Sequence, residues 1–322
     1  MRLSDLHAPP LALLPAAAIG IAMLIDRLFG EPRTRWHPVA WMGALLAWPQ
    51  AWLERQPPRR GWLCGTLAWA VAALLITLLA WVLEAVVWRL LRPGSGLAGW
   101  AAAALVLGVL LKPLLAWRML ADEVRAVDAA LASGLDDGRR QLSRLVSRNT
   151  ATLDPDLVRE SAIETLAENL NDSVIAPLLC FVIAGLPGAA LYRLANTADA
   201  MWGYRDQREW MGKTAARADD LLSWLPARLT ALALLPRPRA WRRLRRQAAR
   251  TPSPNSGWPM AAIALRLGLR LRKPFVYQLN DAGRPPHAGD IAAAIAASRR
   301  ALALVVPLLM ALAALLRWRV AT

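Results

Sequence analysis

Residues 62–83, WLCGTLAWAVAALLITLLAWVL, run for 22 residues without a charge. At 1.5 Å per residue, about 20 apolar residues cover the roughly 30 Å of a bilayer's hydrocarbon. The alternative is a helix buried in a soluble core. Tryptophan placement speaks for the bilayer: Trp62 and Trp88 bracket this segment, as interfacial aromatic belts do. Segment 97–117 is similar, interrupted at Lys112-Pro113 and bracketed by Trp100 and Trp117. The N-terminal run 11–25 and segment 301–316 are shorter and uncharged, and Trp318 closes the last. Two further runs, 173–191 with Pro177, Gly185, Pro187 and Gly188, and 221–235 with Pro226 and Arg228, read as re-entrant or interfacial elements.

Charge orients these segments. The chain of 322 residues has a net charge of +16, which on its own suggests a nucleic-acid binder. Residues 237–300 hold 14 Lys/Arg against 2 Asp/Glu, however, whereas 117–172 hold 7 against 11. The basicity belongs to one region of a hydrophobic protein. The arginine run 237–250 fits anionic lipid beside a membrane, and no recognition helix, zinc finger or RNA-binding motif accompanies it. No nucleic-acid partner is expected. The positive-inside rule places 237–300, and loop 26–61 with its six arginines, in the cytoplasm. Four spans (11–25, 62–88, 97–117 and 301–317) satisfy this with the N-terminus outside. The N-terminal run reads as a retained anchor, since it lacks a basic region and a small-residue cleavage site. The expected fold is all-α: one polytopic helical membrane domain over 1–322, with a large cytoplasmic body at 118–300.

The body carries the chemistry. Residues 118–146 predict a helix and then turns at Ser133-Gly134 and Asp137-Gly138, followed by the polar loop Ser147-Arg148-Asn149-Thr150. Asp154-Pro155 reads as the cap and first position of a new helix. On it Asp156, Glu160, Glu164, Glu168 and Asp172 recur every four residues, forming one acidic stripe opposite Ile163, Leu166 and Leu170. A solvated face is the plain explanation. Against it, the stripe has only Arg159 as a nearby cation, so like charges repel at i,i+4. Asn169 and Asn171 add amide oxygens beside it, and it runs straight into an apolar segment. Hard divalent cations such as Mg²⁺ take such oxygens, so Glu164, Glu168, Asn169 and Asp172 are the candidate metal cluster.

The stretch 193–205 packs Arg193, Asn196, Thr197, Asp199, Tyr204 and Arg205 together, reading either as a polar connection or as a site. Lys213, Arg217, Asp219 and Asp220 follow, the two aspartates placed to favour a helix N-terminus. TPSPNSGWP (251–259) is a turn that opens an apolar helix at Pro259, whose amides suit an anion. No phosphate-binding glycine loop, dinucleotide fingerprint or serine-hydrolase elbow occurs. Two cysteines, Cys64 and Cys180, exclude a disulfide scaffold, and three histidines exclude a His-rich metal site. His37 is read as a capping or packing residue.

In order along the chain, DRLFGEPRTRWHPVAWMG, SRNTATLD, ESAIETLAENLNDSVIAPLL, GLPGAALYRLANTADAMWGYR, ARADDLLSWLPARLTAL and SPNSGWP resemble the CobD/CbiB family of cobalamin biosynthesis. The chain departs from the family pattern at Arg272-Lys273, where small glycine-rich residues are usual, and at Ser223, where Asn is common. The resemblance implies a bacterial inner-membrane enzyme with its active site on the cytoplasmic side. Such enzymes join adenosylcobyric acid to 1-aminopropan-2-ol or its O-phosphate, using ATP and Mg²⁺. A distant relation to AmpE-like membrane proteins supplies the alternative, a sensor without catalysis. A transporter fits less well, because charged residues within the spans are few and no internal repeat is visible.

Activation of a carboxylate by ATP concentrates negative charge, which cations must neutralise. The expected phosphate- or substrate-binding set is Ser147, Arg148, Asn149, Asn196, Tyr204, Arg205, Arg217, Arg228 and Asn255. Lys213 is the expected catalytic cation, and Asp199, Asp219 or Asp220 the base for the attacking ammonium. All must face the compartment that holds ATP, so 173–191 and 221–235 are expected not to place 193–220 outside. A flat corrinoid needs a wide cleft, lined by one chain or shared with a second copy or with other late enzymes of the pathway.

Overall fold

Proline fixes the start of several helices. Pro15, Pro38, Pro58 and Pro155 each occupy a first turn, where the missing N–H costs no hydrogen bond. The computed structural model describes residues 11–92, 96–235 and 238–321. The expected roles of Arg237 and of the Trp318 side chain lie outside what is described. The elements are α1 (Leu14–Phe29, behind a 3₁₀ turn at Leu11–Leu13), α2 (Pro38–Leu53), α3 (Pro58–Leu91), α4 (Leu97–Leu111), α5 (Trp117–Ser133) and α6 (Leu135–Leu142). Next come α7 (Pro155–Leu170), α8 (Ala176–Trp202), α9 (Glu209–Leu234), α10 (Trp241–Ala248) and α11 (Gly257–Leu267). An antiparallel hairpin, β1 (Leu271–Lys273) with β2 (Tyr277–Leu279), precedes α12 (Asp290–Ala321).

The all-helical expectation therefore holds except for this hairpin. Left-handed Gly268 ends α11 just before it, and Pro274-Phe275 reverses the chain. Three local expectations are corrected. Asp137-Gly138 lies inside α6, where Asp136 and Asp137 occupy the dipole-favoured first turn. Residues 193–202 belong to α8, their polar side chains falling between buried Tyr192, Leu194, Ala195 and Ala198. Asp219 and Asp220 sit mid-way along α9 and not at a helix start.

Five stretches are long and apolar enough to cross a membrane: Leu11–Phe29, Pro58–Leu91, Leu97–Ser133, Pro155–Trp202 and Asp290–Arg317. Four answer to the expected spans, and the fifth contains the 173–191 run. The chain divides into two compact units. One comprises 1–116, 176–222 and 306–322, the other 117–175 and 223–305.

The first unit has the inverted patterning of a lipid-facing bundle. Along α3 the buried residues include Gly61, Gly65, Ala72 and Ala80, whereas Leu63, Leu67, Leu74, Leu78 and Trp81 are exposed. In water this would be an aggregating surface; in lipid, small residues mediate helix contact and large ones face the tails. Gly65 shows why: a Cβ there would lie 2.2 Å from the Met211 carbonyl oxygen. α8 is broken in its apolar half, with Gly185 at φ +67°, ψ −158°. The Leu186 amide beyond the break donates to the Glu84 carboxylate of α3 at 2.8 Å, so the second half-helix has an acidic cap. A buried charge group also lies in this unit. The Lys112 ammonium, 4% exposed, is 2.6 Å from Glu31 and 3.2 Å from fully buried Asp26. The other Glu31 oxygen is 2.8 Å from His37 Nε2, and His37 Nδ1 accepts from the Val39 amide, capping α2 as expected.

Candidate functional site

In the second unit the acidic stripe of α7 is not a solvated face. Asp154 caps the helix, its carboxylate accepting from the Leu157 amide at 2.7 Å. Further along, Glu160 is fully buried, Glu164 is 2% exposed and Glu168 is half-buried. Each meets different company. Glu160 is held by Arg272 of β1: the guanidinium Nε and Nη2 donate to Oε1 at 3.0 and 2.8 Å, and the Arg272 amide donates to Oε2 at 2.6 Å. This pairing holds the Arg272 guanidinium above its ordinary pKa. Glu164 accepts one bond from Arg148 Nη2 at 2.9 Å. Its other oxygen and Arg148 Nη1 are buried without a well-formed hydrogen bond, although the Tyr277 phenol reaches the Glu164 carboxylate. An unsatisfied buried polar atom costs about 1–3 kcal/mol, so a native pair of them points to something that completes it.

Both residues line a cavity of about 330 Å³. That volume is at the lower end of ligand pockets and accommodates a phosphate-bearing fragment. Its walls combine Ser147, Arg148, Glu164, Glu168 and Asn169 with residues from two distant segments. Thr251, Ser253 and Ser256 come from the predicted turn; Lys273 and Tyr277 come from the hairpin. The turn is built tightly. Ser253 Oγ accepts from the Asn255 and Ser256 amides, and Thr251 Oγ1 donates to the Ala248 and Ser253 carbonyls. α11 then opens at Gly257, two residues before the expected Pro259. Burial, and then Glu164 and Glu168, push the Tyr277 phenol well above its ordinary pKa, so it stays a proton donor.

The remaining expected residues have varied placements. Asp172 is off the cavity, because a π-turn at Asn171–Ile175 shifts the register of the stripe, and its carboxylate accepts from Asn171. Asn149 is exposed and accepts from the Ala151 amide as a local turn. Arg228 and Asn255 bind each other at 2.5 Å. Arg228 also donates to the Trp224 and Pro254 carbonyls and lies 4.7 Å from the Trp224 and Trp258 rings. This staples the turn to α9, and burial lowers the Arg228 pKa.

The other candidates belong to the first unit. Asn196 of α8 donates to Asp219 of α9 at 3.4 Å, which brings two of them together. Asp220 is half-buried, and burial raises its pKa above the ordinary carboxylate value. Asp199 accepts the Gly203 amide with its main-chain carbonyl. Tyr204 lies beneath the Arg208 guanidinium at 4.1 Å, and the Lys213 ammonium is 4.3 Å from the Trp210 ring. Arg205 and Arg217 are exposed. Thr251, Ser253, Ser256, Lys273 and Tyr277 were not among the expected site residues. The 251–259 turn, read as suiting an anion, was the sequence signal for the first three; Lys273 and Tyr277 come from a hairpin the sequence reading did not expect.

Among the described residues no three His, Cys, Asp or Glu side chains converge as metal ligands. Mg²⁺ does not require that: one or two carboxylates plus substrate phosphates commonly hold it. Glu164 with its open oxygen, Glu168 and the Asn169 amide fit that requirement.

Residues 19–305 match the family described as CobD/Cbib protein. The chain is 43% identical over 270 residues to a cobalamin biosynthesis protein CobD of Stutzerimonas stutzeri, covering 82% of this chain and 84% of that one. It is 39% identical over 307 residues to the protein of the same name from Rhodobacter capsulatus, covering 89% and 94%. A probable cobalamin biosynthesis protein CobD of Methanothermobacter thermautotrophicus is 38% identical over 270 residues, covering 81% and 85%. No solved structure matches the chain. With the family's span covering most of its length and relatives this similar, the chain belongs to the CobD/CbiB family.

Proposed function

We propose that this protein forms an amide between the carboxylate of adenosylcobyric acid and the amine of 1-aminopropan-2-ol or its O-phosphate, giving adenosylcobinamide or its phosphate. The reaction is ATP-dependent, because a carboxylate is a poor electrophile until it is converted to an acyl phosphate or adenylate. The cavity beside α7 carries this reading: paired carboxylates, two cations and an incomplete buried Arg148–Glu164 pair converge in a space sized for a phosphate-bearing group. Mg²⁺ would be held by Glu168, Asn169 and the open oxygen of Glu164, and when bound it supplies neutralisation of phosphate charge. Arg148 orients an anionic group against Glu164. Asp219, which accepts from Asn196, or Asp220, whose pKa burial raises, is the candidate base for the attacking ammonium. The spans belong to a bacterial inner membrane and the site faces the cytoplasm, where ATP is.

The test is rescue of a corrinoid auxotroph supplied with cobyric acid but not cobinamide, followed by amidation with the purified protein. Glu168→Ala and Asp219→Ala should abolish product while membrane insertion persists. Full activity in either variant removes that residue from the site. Failure of the wild-type chain in both assays would favour the alternative, an AmpE-like sensor without catalysis.

A further inference from the structure

The hairpin adds a group to this cavity that the residues of the α7 stripe do not explain. In the β1–β2 register Leu271 faces Leu279 and Lys273 faces Tyr277. Leu271 and Leu279 are fully buried, and the next pair on that face, Lys273 and Tyr277, lines the cavity. Arg272, on the opposite face, is locked to buried Glu160 through both its guanidinium and its amide. The strand is thus pinned to α7 one turn before Glu164, and its next residue is delivered to the cavity. Arg148 already has Glu164 as its counter-charge. The Lys273 ammonium has no ion pair or hydrogen bond among the described residues, yet its charge reaches Glu168. A half-buried ammonium left open, beside the hydroxyls of Ser253, Ser256 and Tyr277, is a donor set for a tetrahedral oxyanion.

Building on the proposed reaction, we infer that Lys273 and Arg148 form a two-cation clamp for a phosphate group, with the Glu160–Arg272 pair as its positioning device. Two sources share that chemistry: the nucleotide and an O-phosphorylated amine. The compact charge on a flexible stem suits phosphate without demanding bidentate geometry.

The experiment uses the full chain in detergent. Non-turnover binding of an unhydrolysable ATP analogue and of inorganic pyrophosphate is measured for wild type, Lys273→Met and Lys273→Arg, and then KM for each substrate. Lys273→Met should weaken binding or raise KM for one phosphate-bearing substrate about tenfold, with Lys273→Arg restoring most of it. A change confined to ATP assigns the clamp to the nucleotide. A change confined to the O-phosphate, with unphosphorylated aminopropanol unaffected, assigns it to the amine. Unchanged binding and KM in Lys273→Met, or no wild-type binding of either phosphate probe, overturns the clamp. If wild type binds the probes through Lys273 but makes no amide, the clamp stands and the proposed reaction falls.

Discussion

Replacing Arg272 by Met tests how the hairpin is held. The substitution keeps an unbranched apolar stem and removes the Nε and Nη2 donors from Glu160, leaving the 2.6 Å bond from the backbone amide. Glu160 has no exposure to water, so its charge loses its counter-ion where solvent cannot replace it. Breaking one side of a buried pair costs about 3–5 kcal/mol. The Arg272 side chain is itself 29% exposed, so part of the attraction is screened and the lower end, about 3 kcal/mol, is expected. For a unit of this size that corresponds to an apparent melting shift of roughly 6–12 °C. Adding Glu160→Gln should recover most of the loss, because the buried charge has gone; replacing both members of a buried pair is often near neutral. The assay is thermal unfolding of the detergent-solubilised full chain, followed by tryptophan fluorescence, for wild type, both single variants and the double. If Arg272→Met melts with wild type, or if the double variant is as unstable as the sum of the singles, Glu160 and Arg272 are not coupled and the hairpin is held by something else.

Gly185→Ala should impair folding strongly, since its φ of +67° is glycine territory and a Cβ would lie 2.4 Å from Glu84; wild-type levels of membrane-inserted, heat-stable protein would refute this. Lys112→Met should destabilise the first unit by about 3–5 kcal/mol by stranding Asp26 and Glu31, seen as a lower melting temperature than Lys112→Arg. For Tyr277 the sign is that of a raised acid: its neutral form is favoured in the fold, so that stability is present below the unfolded phenol value near 10 and is lost only as pH climbs above it. Wild type and Tyr277→Phe should therefore show the same phenolate absorbance on titration to about pH 10.5, and an extra phenolate in wild type would overturn the assignment. Reporter fusions at Arg205 and Arg250 should both report cytoplasm. An external Arg205 would mean that Pro155–Trp202 crosses fully despite its break at Gly185.

Sequence periodicity predicts what depends on neighbours in the chain. Uncharged runs flanked by tryptophan become the long helices, and the expected span 62–88 lies within Pro58–Leu91. The Pro/Gly-rich 173–191 run contains a real break, and Asp154-Pro155 is a real cap. Those features need only local backbone chemistry. The same logic misplaces residues 193–202 and Asp219-Asp220 because it equates polarity with a loop. A helix packed on several sides carries polar residues without leaving helical geometry, as α8 does between Tyr192 and Ala198.

The acidic stripe shows where that logic ends. Glu160, Glu164, Glu168 and Asp172 share one spacing, and nothing in the spacing separates them. Their fates are set by groups far along the chain: Arg272 is 112 residues from Glu160, and Lys273 and Tyr277 reach the Glu164–Glu168 cavity from the same hairpin. Asp172 stands in the π-segment, a backbone event no residue type announces, and its charge still acts on Glu168. Burial and distant partners turn three equivalent carboxylates into an anchor for Arg272, a partner of Arg148 and a half-buried wall of the cavity. The Arg272-Lys273 dipeptide therefore has two separable placements: its first residue neutralises buried Glu160, and its second lines the cavity with Glu164 and Glu168. Exchanging the two, Arg272→Lys with Lys273→Arg, keeps every charge and tests that division: the two guanidinium bonds to Glu160, at 2.8 and 3.0 Å, need the planar fork of arginine, so stability should fall even though net charge is unchanged.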